Sequence, residues 1–126
     1  MDNEISDLKP LASLKNLVAL QLQGNQISTL KPVADLLLLE QLNLSRNQIT
    51  NIAPLKKLVN LERLNLINNK LTTISVLSNF PKLTWLGLNY NDVTKLKPLY
   101  DLKKLEVLMI KGNTHLSNAE IMDLED

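Results

Sequence analysis

The sequence predicts a right-handed α/β solenoid, a coil of stacked turns with short parallel strands on its concave side and 3₁₀ or turn segments on its convex side. Three observations carry this expectation. Asn25, Asn47, Asn69, Asn91 and Asn113 recur at one constant interval of 22 residues. A pair of aliphatic residues in L-x-L spacing precedes the asparagine, the alternation of a strand with one buried face. Behind the asparagine, apolar residues step by three, as in Ile49, Ile52, Leu55 and Leu58. That spacing, interrupted by Pro54, suits turns and 3₁₀ segments better than a long helix.

Residues 1–16 read as a partial first unit whose strand is missing, because Asn3, Ile5, Leu8, Pro10, Leu11 and Leu14 fit the second half of the pattern. Residues 17–116 form an array of about five units. Leu17, Leu39, Leu61, Leu83 and Leu105 open them, and the strand leucines follow at Leu20, Leu42, Leu64, Leu86 and Leu108. One unit cannot bury its own apolar side, whereas a stack shares a continuous core. The asparagines read as structural, their amides bonding backbone groups of their own and neighbouring turns. At the start of the array, the strand around Leu20 to Leu22 would present open backbone groups to another chain.

Residues 117–126 read as a capping helix with an acidic tail. His115 takes the slot held by Ile27, Ile49, Leu71 and Val93, and the pattern stops there. Ser117 then stands as N-cap with Glu120 at the capping-box position. Such a helix would lay Ile121 and Leu124 over the last unit.

The unit, L-x-x-L-x-L-x-x-N-x-[I/L/V]-x-x-[I/L]-x-P-[L/V]-x-x-[L/F], resembles the leucine-rich repeat and runs from Asn3 to His115. Its 22-residue length and the Pro-[Leu/Val] pair look like the internalin type of bacterial leucine-rich repeat. The short eukaryotic subclass of phosphatase-regulating proteins is similar too. The internalin resemblance implies protein or host-receptor ligands and a bacterial cell-surface or secreted setting; otherwise a cytoplasmic one is expected. Internalin-like proteins carry a helical cap before the first repeat, and none is visible ahead of Asn3.

Composition narrows the function classes. A chain of 126 residues with 44% hydrophobic and 21% charged residues suits one globular domain. A net charge of +1 gives no reason to expect nucleic acid, and no apolar run is long enough to insert in a bilayer. Without cysteine there is no thiolate chemistry and no Cys-ligated zinc. His115 is the only histidine, so it has no histidine partner for a metal, and Ser117 beside it sits on the expected cap. Glu40, Glu62 and Glu106 share a column because the unit repeats. The three glycines form no phosphate loop, and the N-L-S at Asn43 lies on an expected strand. No enzyme activity, cofactor or metal is expected.

The informative residues stand between the leucines, where side chains point out of the concave face. The first outward column reads Ala19, Gln41, Arg63, Trp85, Val107; the second reads Gln21, Asn43, Asn65, Gly87, Met109. Beyond them run Gln23, Ser45, Ile67, Asn89, Lys111 and then Gly24, Arg46, Asn68, Tyr90, Gly112. The first two strands offer a polar surface. The last three gather Arg63, Ile67, Trp85, Asn89, Tyr90, Val107, Met109 and Lys111, with the residue types that supply interface hot spots. A protein partner bound there is the expected function. Gly87 either clears space for an incoming side chain or lets the indole lie flat, and a cross-strand stack of Trp85 on Arg63 and Val107 is the stability-only alternative. Two other functional readings stand beside it: a structural or engineered repeat fragment without a ligand, and an adaptor or targeting segment of a larger protein. Leu37 and Leu38 stand out as apolar, and Leu37 aligns with Val59 and Pro81 in an apolar row that offers either self-association or a loosely packed edge. Lys95, Lys97, Lys103 and Lys104 form a solvated basic patch on the convex side.

Overall fold

The computed structural model of the protein describes residues 3–125. Five three-residue strands follow one another in the chain and in space: β1 (Ala19–Gln21), β2 (Gln41–Asn43), β3 (Arg63–Asn65), β4 (Trp85–Gly87) and β5 (Val107–Met109). Every neighbour pair is parallel and offset by one repeat, so Leu20, Leu42, Leu64, Leu86 and Leu108 stand in register. The expected solenoid is what forms.

The convex side is a row of 3₁₀ segments: Lys9–Leu11, Lys31–Val33, Ala53–Leu55, Ser75–Asn79 and Lys97–Leu99. Four carry proline in their first two positions, where its fixed φ starts a turn and its missing N–H costs no bond. In the fourth, Val76 replaces that proline and the segment runs to five residues. Phe80, the residue before Pro81, ends it outside the helical region (φ −109°, ψ 81°), which the following proline disfavours.

Between the two sides lies one continuous apolar core, with Leu42, Leu44, Leu64, Leu66, Leu86 and Leu88 from the strand side packed against Val33, Leu55, Leu77 and Leu99 from the turns. The asparagine ladder seals it. Asn69 Nδ2 donates to Leu66 O (3.1 Å) in its own turn and to Leu44 O (2.9 Å) in the turn before, while its Oδ1 accepts from Ile49 N (3.0 Å). Asn47, Asn91 and Asn113 repeat this set. Asn25 has a shorter one: its Nδ2 reaches Leu22 O and Gln23 O within its own turn, and its Oδ1 accepts from Ile5 N. The asparagines are therefore structural, because each satisfies buried backbone groups that the tight coil leaves without partners.

The array closes on α1 (Asn118–Glu125). Ser117 Oγ accepts from Glu120 N at 3.2 Å, as an N-cap does. The second half of the expected capping box is absent: Glu120 instead accepts from Leu96 N at 3.0 Å, with Lys95 Nζ 3.9 Å from its other oxygen. An orphan N–H at the last 3₁₀ turn attracts the carboxylate more than the helix start does, and so pins the helix to the array. Ile121 packs against the core. The side chain of Leu124, Met1 and the last residue of the acidic tail lie outside the described residues. Among the described residues, no helix is long and apolar enough to cross a membrane.

Candidate functional site

Strand pairing brings the outward columns together as expected: Arg63 stands beside Trp85 and Trp85 beside Val107, while Asn65 stands beside Gly87 and Gly87 beside Met109. The Arg63 guanidinium carbon lies 4.1 Å from the centre of the Trp85 ring. The indole is half-buried, lying down on the sheet rather than standing up from it. A Cβ built on Gly87 would meet Trp85 Cζ3 and Cη2 at 2.9 Å and Ile67 Cδ1 at 3.0 Å. Of the two uses foreseen for Gly87, the structure shows the second: its bare Cα is the seat of the ring. The stack on Arg63 foreseen as a stability device is present as well, and it leaves the in-plane donors of the guanidinium free.

Replacing Gly87 with alanine is therefore expected to lift the indole off the sheet. Tryptophan emission, which comes only from Trp85, should shift to the red, with stability changed by less than about 1 kcal/mol, because the displaced atoms are the far end of a side chain. An unshifted spectrum would show that the ring does not rest on this glycine.

The fourth column does something that the leucine pattern does not announce. Gly24, Arg46, Asn68, Tyr90 and Gly112 all have positive φ, between 56° and 77°. Here the chain leaves the strand and turns toward the asparagine, while the backbone N–H still bonds the next turn, as Tyr90 N does to Lys111 O at 2.7 Å. Glycine and asparagine take this left-handed conformation readily; a tyrosine there costs about 1–2 kcal/mol. Tyr90 is 47% exposed, and its ring lies over Gly112, where an added Cβ would stand 2.3 Å from Cδ1. Two glycines and an asparagine at the same spacing were the available signal for this column.

The eight candidate residues do not contribute equally. Val107 (41% exposed), Tyr90, Arg63 and Lys111 face solvent, and Ile67, Trp85 and Met109 are half-buried on the same concave surface. Asn89 is only 9% exposed, and its Oδ1 accepts from Lys111 N at 2.7 Å. The strands are three residues long, so regular alternation ends at the second column and the third is mixed: Ser45 is buried like Asn89, while Ile67 is half-buried and Lys111 exposed. Elsewhere, Leu37, Leu38 and Val59 are exposed on the flank where the chain enters the strands. Among the described residues, no group of three His, Asp or Glu side chains could hold a metal ion.

A family model described as leucine rich repeats (2 copies) matches residues 38–79. Most of the coil superposes on solved leucine-rich-repeat structures. Internalin C2 of Listeria monocytogenes matches at 35% identity with a TM-score of 0.85, over 86% of this chain and 48% of that one. The chain is a leucine-rich repeat protein. A second Listeria monocytogenes internalin, InlF, matches at 32% identity and a TM-score of 0.84, over 90% of this chain and 37% of that one. A plant peptide hormone receptor, RGFR1, solved in complex with RGF2, matches at 29% identity and a TM-score of 0.72, over 81% and 18%. This leucine-rich repeat protein thus spans about half or less of the length of these structures. No curated protein sequence matches it. Domains of this kind are typically protein-binding modules, and the internalin-like fold is generally non-catalytic.

Proposed function

We propose that this leucine-rich repeat protein is a non-enzymatic recognition module that binds a protein partner through the concave surface of β3, β4 and β5. The observation that carries the reading is the half-buried Trp85, held flat between Arg63 and Gly87 with Val107 and Tyr90 exposed around it. A ring already immobilised by its neighbours loses little side-chain entropy on binding, and clustered aromatic, Arg and Met residues are where interface energy concentrates. Likeness to internalins and to a receptor solved with its ligand supports the class of partner and, for the internalins, a bacterial surface or secreted setting.

The test uses protein ligands selected on the wild-type protein from a displayed library without bias toward any surface. Trp85→Ala should weaken their binding at least about tenfold, or 1.4 kcal/mol, with an unchanged circular dichroism spectrum. Equal binding by both proteins would refute the proposal.

A further inference from the structure

The concave surface has a second half, and its chemistry is one-sided. A hollow opens over β1 to β3, lined by Gln21, Gln41, Leu42, Asn43, Arg63 and Asn65. Two of its amides are already oriented. Asn43 Oδ1 accepts from Ser45 N (3.1 Å) and from Ser45 Oγ (3.0 Å), and Asn65 Oδ1 accepts from Ile67 N at 3.1 Å. Because a backbone N–H can only donate, these bonds fix which end of each carboxamide is oxygen. Both oxygens are engaged by the chain itself, Asn43 Oδ1 twice and Asn65 Oδ1 once, so the Nδ2 groups are the main capacity that Asn43 and Asn65 have left to offer.

Arg63 adds charge to these donors. It is exposed and stacked on Trp85, and among the described residues no carboxylate pairs with it. None of the four outward columns contains an acidic residue, yet they carry Arg46, Arg63 and Lys111; Glu40, Glu62 and Glu106 stand one column away at the strand entry. Three of the chain's 14 basic side chains, and none of its 13 acidic ones, therefore stand in these columns. With only three of them, spread over the sheet, the face is poorly matched to a polyphosphate backbone, whose binding grows with the number of phosphates neutralised. A single carboxylate fits better, since guanidinium and amide donors together satisfy its two oxygens.

We propose that this hollow receives an aspartate or glutamate side chain from an extended peptide segment of the partner, with the carboxylate bound by Arg63 and the Asn43 and Asn65 amides. The inference rests on the concave-surface reading above and names the ligand chemistry within it. Same-face side chains of an extended segment recur about every 6.6 Å, and strands lie about 4.8 Å apart. A segment crossing the strands with its acid over β2 and β3 therefore sets the residue two positions away against Trp85. The recognised pattern is an acid spaced by one residue from an apolar side chain.

The probe is an array of randomised, N-acetylated, C-terminally amidated dodecapeptides, in which carboxylates come only from side chains. Its strongest binders should contain Asp or Glu two positions from an apolar residue. Synthesised individually, they should lose at least tenfold in affinity when the acid becomes its amide, and as much against Arg63→Gln protein, with little further loss when both changes are combined. Arg63→Lys, which keeps the charge but not the fork of donors, should fall between. Circular dichroism and thermal unfolding establish that the variants remain folded. Binders without an acid, affinities indifferent to Arg63→Gln, displacement by a dT12 oligonucleotide at equal concentration, or an array without binders would each overturn the inference. Binders that depend on Trp85 but not on Arg63 would leave the concave surface standing and remove the carboxylate; binders that depend on neither would remove both.

Discussion

Asn69→Ala is expected to destabilise the protein by about 3–4 kcal/mol, because it leaves several buried backbone groups without partners at once. The side chain joins two turns, with Ile49 N, Leu44 O and Leu66 O on its two ends and 8% of its surface exposed. Alanine fills none of those roles, and the cleft is too tightly closed by leucines to relax around it. The same change at Asn25 should cost about 1 kcal/mol less, since that amide has no carbonyl of a preceding strand to satisfy. Urea unfolding of the two variants, followed by circular dichroism, measures the difference. Equal losses would show that the bond to the carbonyl of the preceding strand adds nothing to the rest of the set.

Phe80→Ala should be about as costly, near 3–5 kcal/mol, for a different reason. Phe80 is fully buried where the other turns carry Leu14, Leu36, Leu58 and Leu102. It closes the turn whose 3₁₀ segment lacks proline, and its ring is the largest fully buried side chain of the core. Truncation leaves a void that the neighbouring turns cannot close without breaking register. Phe80→Leu, the residue of the other turns, should cost much less, roughly 1 kcal/mol, since most of the volume is kept. Thermal unfolding of both variants checks the order, and a leucine variant as damaged as the alanine one would show that shape rather than volume decides this site.

Nearly all of the scaffold was legible in the sequence, because an uninterrupted 22-residue step leaves one way to stack. Leu20 through Leu108 had to align once the strands paired, and the asparagines had to face inward to reach two turns. The concave surface was legible only where strand alternation holds. It places Arg63 beside Trp85 and Trp85 beside Val107, but it fails at Asn89, two residues past the end of β4, which is buried with its Oδ1 accepting from Lys111 N. The left-handed column escaped notice since Arg46 and Tyr90 interrupt its run of glycines and asparagine. Glu120 was misplaced because local capping chemistry says nothing of an unpaired amide 24 residues earlier. Alternation also cannot say how an outward ring lies. The flat seat of Trp85 depends on the absence of a side chain at Gly87, and the stacking on Arg63 depends on register across two repeats.

The division of labour between a leucine and asparagine scaffold and a variable concave surface is tested most directly by mapping backbone amides. Two-dimensional NMR spectra of the isotope-labelled protein, titrated with a ligand from the displayed library, should move the signals of β3 to β5 and of Tyr90 and Lys111 while those of the 3₁₀ segments stay in place. Shifts centred on the convex turns or on Leu37 and Leu38, with the concave strands unmoved, would contradict it.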